Sequence, residues 1–220
     1  MQLLDEKVRE QVKEMFKELE NPVRLLVFTQ DSLITVPGLE CETCKDNRLL
    51  MEEVASLSDK VSVEIVDFMK DKERVAEYKI DKIPATVIQG EKDHGIRMYG
   101  MPAGYEFPTL LSAIRNISMA SSELSDDSKE KIKKITKPVH IQVFVTLTCP
   151  YCASAAGLAH RMALENEQIR ADVVNAQEFP QLGQRYNVFA VPKTVVNETI
   201  NFEGALPEDK FVDRVLESQK

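Results

Sequence analysis

The feature that most constrains this chain is that it carries one pattern twice. Residues 22–28 read Pro-Val-Arg-Leu-Leu-Val-Phe and residues 138–144 read Pro-Val-His-Ile-Gln-Val-Phe. Each is a short apolar run after a proline, the signature of a buried strand. Each leads to a Cys-x-x-Cys pair, Cys41/Cys44 in the first copy and Cys149/Cys152 in the second. Ile83-Pro84-Ala85-Thr86-Val87 then matches Val191-Pro192-Lys193-Thr194-Val195, and the proline follows the second cysteine by 40 positions in both copies. Phe28 precedes Cys41 by 13 positions and Phe144 precedes Cys149 by 5, so the first copy holds an eight-residue insertion. It lies within Asp31–Glu40, where Pro37 and Gly38 suit a loop. Agreement in both motif and spacing indicates duplication of one structural unit.

Each copy reads as β-α-β-α-β-β-α, an α/β arrangement. The strand leads to the cysteine pair, then a helix (42–56 and 150–165), a strand (61–67 and 169–174) and a second helix (72–79 and 179–185). The Ile-Pro or Val-Pro element opens a further strand, followed by another strand and a last helix. An extra helix precedes the first copy, with Leu4, Val8, Val12, Met15, Phe16 and Leu19 at helical spacing. Residues 118–137 are polar and read as a linker with a short helix capped by Ser125 or Asp126. The units are expected at 1–120 and 121–220.

A net charge of −8 disfavours binding to phosphate backbones, so nucleic acid is not an expected partner. No segment reaches the roughly 18 consecutive apolar residues of a membrane span. The charged, amphipathic start lacks the apolar core and cleavage site of a secretory signal. A cytoplasmic location is therefore expected, where short-spaced cysteines indicate redox chemistry or metal binding rather than structural stapling.

Cys149 in Cys149-Pro150-Tyr151-Cys152 sits where a strand gives way to a helix. Positions three apart on a helix share a face, so the two sulfurs can meet. The helix start offers free N–H groups and partial positive charge, which favour the thiolate that attacks in disulfide exchange. The same logic applies to Cys41-Glu42-Thr43-Cys44, but there Glu40 and Glu42 flank the first cysteine and oppose its ionisation unless water screens them. Cys149 is thus expected to be the more reactive nucleophile. The alternative, a zinc site held by all four cysteines, is disfavoured by the 105 positions between Cys44 and Cys149 and by each pair belonging to its own repeat.

The Cys-Pro-Tyr-Cys after a Val-Phe-Val strand, with Val-Pro downstream, resembles glutaredoxin within the thioredoxin superfamily. The doubled arrangement, covering nearly the whole chain, resembles the glutaredoxin-like protein disulfide oxidoreductases of thermophilic archaea and bacteria. Residues His94–Phe107 are similar to that family and to the N-terminal module of the alkyl hydroperoxide reductase flavoprotein component, which keeps only its second cysteine pair. The resemblance implies two tandem thioredoxin-like folds, each a central mixed sheet flanked by helices. It implies attacking cysteines at Cys41 and Cys149 and resolving ones at Cys44 and Cys152. Ile83–Pro84 and Val191–Pro192 would be cis bonds facing the disulfides and pairing with extended substrate, where ordinary trans prolines opening strands are the alternative. The implied activity is dithiol–disulfide exchange on protein substrates, needing no cofactor. The implied donor is a flavin-dependent, NAD(P)H-fed reductase of the thioredoxin-reductase kind, and a peroxiredoxin is an implied partner. An electron-delivery module serving a peroxiredoxin is the nearest rival.

Two departures bear on substrate choice. Thioredoxins place a buried Asp six residues before the first cysteine, where this chain has Val143. Glutathione-binding glutaredoxins carry a Gly-Gly pair after the Val-Pro strand, and residues 197–204 lack it, so protein disulfides are preferred over glutathione. Tyr151 stands either to stack on substrate or to pack half-exposed. His94, His140 and His160 form no ligand pattern and are expected to be solvated or on a strand face. The Glu- and Lys-rich helices read as solvated surface.

Overall fold

Residues 2–30 and 41–220 are described by a computed structural model of the chain. The insertion placed within Asp31–Glu40 therefore lies outside the described residues, as does Glu40. In β1 (Val23–Thr29) every residue but Arg24 is buried. Burial on both faces explains why the run is continuously apolar rather than alternating. Leu25 and Val27 face a core shared with the long helices, while Leu26 and Phe28 face a second, smaller core. The first unit continues with α2 (Cys44–Ala55), β2 (Val61–Asp67), α3 (Lys72–Glu77), β3 (Ala85–Gln89), β4 (Ile96–Tyr99) and α4 (Phe107–Ser118). The second repeats it as β5 (Val139–Val145), α6 (Cys152–Glu165), β6 (Ile169–Asn175), α7 (Pro180–Arg185), β7 (Lys193–Val196), β8 (Ile200–Glu203) and α8 (Glu208–Leu216). Helix α1 (Glu6–Phe16) precedes the first unit and α5 (Asp126–Ile132) the second. Side-chain oxygens of Asp5 and Ser125 accept from the N–H groups of Val8 and Ser128 and cap these two helices.

The sheet of each unit is mixed, with β1–β2 and β5–β6 parallel and the remaining pairs antiparallel. The two sheets are not separate. β4 pairs in parallel with β6, giving one eight-stranded sheet in the order β2-β1-β3-β4-β6-β5-β7-β8. The larger core draws on α1, α2, α4, α5, α6 and α8, and the smaller one lies by α3 and α7, so helical layers cover both faces. The seam demands close backbone approach at Gly95, where an added Cβ would lie 2.6 Å from the Ile169 carbonyl oxygen. Asp172, fully buried on β6, accepts from Arg170 Nε at 2.9 Å, and its Oδ2 lies 2.6 Å from His140 Nε2. Arg170 in turn donates to Tyr99 Oη across the seam at 2.7 Å.

Two expectations change. The helices after the cysteine pairs begin at Cys44 and Cys152, not at 42 and 150, because each first cysteine closes a turn before regular helix starts. His160 is neither solvated nor on a strand. It is buried in α6 with Nε2 3.4 Å from the Arg97 carbonyl oxygen, and burial lowers its pKa to about 4.

Candidate active sites

Both cysteine pairs are closed as disulfides within their own unit, each with Cα atoms 5.4 Å apart. The two members of a pair differ in access. Cys44 and Cys152 are buried at the first position of α2 and α6, whereas Cys41 and Cys149 are half-buried in the preceding turn. An incoming group therefore meets the first sulfur of each pair before the second. The Cys152 N–H donates to the Cys149 carbonyl at 3.2 Å, forming the tight turn that presents Cys149 at the helix start. Neither α2 nor α6 has a side-chain cap, so the positive end of each helix is left to the sulfurs.

Ile83–Pro84 and Val191–Pro192 are both cis. Cys149 Sγ lies 3.7 Å from the Val191 carbonyl oxygen, which places the cis turn directly against the second pair. Ile83 and Pro84 share with Cys41, Glu42 and Thr43 a groove of about 350 Å³. Tyr151 is 69% exposed between the cysteines of the second pair. Phe189 is 90% exposed three residues before Pro192, and Tyr105 is half exposed with its N–H donating to the Leu147 carbonyl. Among the described residues these are the large apolar side chains most open to water, and all three lie in segments that border the second pair.

Two carboxylates read in the sequence as ordinary solvated charge cross between the units. Glu106 ends a 3-10 turn (Gly104–Glu106) that packs against α6 and is tied to Leu147, just before the second pair. It is only 3% exposed, and its Oε1 has no hydrogen-bond partner among the described residues. Burial, reinforced by the charge of Glu178, raises its pKa to about 8. Glu178 belongs to the second unit but reaches the first pair. It accepts from Thr43 Oγ1, from the Met101 N–H at 2.8 Å and from Asn175 Nδ2 at 3.0 Å. The one sequence signal for Glu106 is its place immediately before the apolar helix Phe-Pro-Thr-Leu-Leu.

The sequence pattern of the thioredoxin-domain family matches residues 33–107 and 139–217. Over 195 residues the chain is 25% identical to a protein named NADH dehydrogenase from Bacillus subtilis strain 168, covering 89% of this chain and 34% of that one. Over 213 residues it is 20% identical to the alkyl hydroperoxide reductase flavoprotein component (AhpF) of Pseudomonas aeruginosa, covering 97% and 37%. The chain thus spans about a third of the length of these relatives. Among solved structures, a protein disulfide oxidoreductase from Aeropyrum pernix K1 superimposes with a TM-score of 0.89 at 30% identity, covering 99% of this chain and 94% of that one. The two-part N-terminal domain of AhpF from Enterococcus faecalis superimposes at 0.87 with 24% identity, covering 96% and 99%, a likeness of fold.

Proposed function

This chain belongs to the thioredoxin-domain family, and on that premise we propose that it is a protein disulfide oxidoreductase working through both cysteine pairs. Its units are residues 1–120 and 121–220. The observation that carries the reading is the second site, where a half-buried Cys149, a buried Cys152 and the cis Val191–Pro192 turn converge, with Cys149 Sγ 3.7 Å from the Val191 carbonyl. In the reducing direction the Cys149 thiolate attacks one sulfur of a substrate disulfide, and the other sulfur leaves as a thiolate that takes up a proton. Cys152 then loses its proton and attacks Cys149 Sγ, releasing the second substrate thiol and leaving the protein pair oxidised. Two electrons and two protons pass to the substrate. Glu106, a buried acid that exchanges its proton near pH 8, accepts the Cys152 proton. Pro84 and Ile83 face Cys41 as Pro192 and Val191 face Cys149, and Tyr151 borders the substrate path.

A second reading has specific support: the chain matches AhpF over its own length and about a third of that protein's. In that reading it passes electrons from a flavin-dependent, NAD(P)H-fed reductase to a peroxiredoxin in a reducing compartment such as the cytoplasm. No helix among the described residues is long and apolar enough to cross a membrane.

Insulin reduction tests the reading. Wild type is active, Cys149→Ser removes most activity and Cys41→Ser removes less, and mass mapping of oxidised protein links Cys41 to Cys44 and Cys149 to Cys152. Full activity in both single variants, or stoichiometric zinc in the reduced protein, overturns it. Turnover with a peroxiredoxin but not with insulin selects the second reading.

A further inference from the structure

The first redox pair does not stand within its own unit alone. Its groove is lined on one side by Cys41, Glu42, Thr43, Ile83 and Pro84, and on the other by Gln177, Glu178 and Pro180 of the second unit. These residues arrive there because β6 pairs with β4, which brings the loop at the end of β6 against Gly100 and Met101. The Gln177 N–H donates to Asn175 Oδ1, and Asn175 Nδ2 holds Glu178 Oε1, so the loop is a closed turn. At Gly100 an added Cβ would lie 2.7 Å from Glu178 Oε1, which leaves the carboxylate no room to withdraw on that side.

Resting on the disulfide-exchange reading, we propose that Glu178 of the second unit is a positioning and tuning residue of the first redox pair. Its carboxylate pins the Cys41–Cys44 loop through Thr43 and holds a negative charge in the groove of Cys41. Two consequences follow for the chemistry. Thr43 precedes α2 at the position where a hydroxyl ordinarily caps the helix, yet it makes no cap bond. By engaging the hydroxyl, Glu178 leaves the first N–H groups of α2 to the sulfur of a reduced Cys41. Against this, a fixed carboxylate in the same groove disfavours the Cys41 thiolate. The other charged groups facing the groove are Glu42, exposed to water, and the Asp81–Lys82 pair, whose charges offset at 2.5 Å. Glu106 lies behind Glu178 and is kept protonated by burial and by that charge. The net effect of Glu178 is to make the first pair the less acidic and more reducing of the two.

The test uses the full chain with Cys149→Ser and Cys152→Ser, so that only the first pair reports. Cys41 alkylation is followed against pH, and the pair is equilibrated with glutathione buffers. With Glu178→Gln the ionisation midpoint of Cys41 falls by about half a pH unit or more, and the equilibrium moves severalfold toward the dithiol. Glu178→Asp, which keeps the charge, stays nearer the parent in midpoint. Thr43→Val releases the carboxylate, so its effect and that of Glu178→Gln are less than additive when combined. Equal midpoints and equilibria in the parent and Glu178→Gln, or additive effects of the two substitutions, overturn the proposal. Should Glu178→Gln not fold, judged by circular dichroism, Thr43→Val alone decides, with an unchanged midpoint as the overturning result. Insulin reduction by the wild type separates this failure from failure of the disulfide-exchange reading itself.

Discussion

Replacing Glu106 by Gln should stabilise the protein, and increasingly so as pH rises. The native carboxyl is 3% exposed and titrates at about 8, against an ordinary value of 4.5. A folded-state pKa above the unfolded one means that between those values the native state holds a proton that the unfolded state has lost. Stability therefore falls as pH rises through that window and levels off above it. Raising the pKa from 4.5 to about 8, at about 1.4 kcal/mol per pH unit, gives about 5 kcal/mol at the upper limit. That is comparable with the whole stability of many domains, about 5–15 kcal/mol. Glutamine keeps the size and an acceptor oxygen but never ionises, so Glu106→Gln and wild type should unfold alike at pH 5 and diverge by several kcal/mol at pH 8. Urea denaturation of both oxidised proteins at pH 5, 6, 7, 8 and 9 measures the gap. Parallel stability profiles across that range would refute the assignment of Glu106 as a buried, protonated acid. A second check comes from Glu178→Gln, which removes a charge that raises the Glu106 pKa. In that background the Glu106 carboxyl ionises at lower pH, so the gap to the double variant should be smaller.

The remaining predictions concern the seam. Gly95 and Gly204 both hold left-handed φ angles, +79° and +84°, but a Cβ at Gly204 meets nothing within 4 Å. Gly204→Ala should cost only the backbone strain, about 1 kcal/mol, and Gly95→Ala about 2 kcal/mol more, because the obstructing Ile169 oxygen is main chain. Equal thermal destabilisation of the two variants would refute the close approach. Burial alone would raise the Asp172 pKa, but His140 and Arg170 outweigh it and hold the carboxyl well below 3.8. Asp172→Asn should therefore destabilise by about 3 kcal/mol at pH 7. That difference should shrink as pH falls below about 4 and wild-type Asp172 takes up a proton. Urea denaturation at pH 7, 4 and 2 checks both the size and the trend.

The duplication, the strand order along the chain and the cysteine and cis-proline positions were legible because each is written locally. β-branched runs, the i, i+3 cysteine spacing and the N-cap Ser125 all act over a few residues. What could not be read was long-range. β4 reads Ile-Arg-Met-Tyr, and an arginine in a short strand looks like an exposed edge. Yet Arg97 is 3% exposed, with its guanidinium paired to Asp93 and donating to the Tyr78 carbonyl. Periodicity says which face a residue takes and nothing about which strand comes alongside. Glu106 and Glu178 escaped for the same reason, since their burial and contacts depend on a neighbour about 40 or 135 positions away, at Leu147 and Thr43. Counted from the second cysteine, Glu178 occupies the place of Lys70, so the repeat itself gave no reason to expect a carboxylate there.

The same duplication accounts for why the sheet grows at β4 and stops at β8. The two hairpins are equivalent: Tyr99 pairs with Ala85 as Glu203 pairs with Lys193, and Gly100 and Gly204 follow with left-handed φ. The residue before β4 is Gly95, whose lack of a Cβ lets the β6 backbone approach, whereas the residue before β8 is Thr199. A second strand brought to β8 in the geometry of the seam would strike the Thr199 side chain. β8 also presents exposed Asn201 and Glu203, which blunt an open edge against pairing. Two copies with one sequence pattern therefore occupy different places in a single sheet. The first cysteine pair lies against the seam and answers to Glu178. The second lies beyond it, bordered by Tyr151 and Phe189, with Glu106 at its back. The inequality of the two sites thus arises from where each copy stands in the joined sheet as much as from the residues between its cysteines.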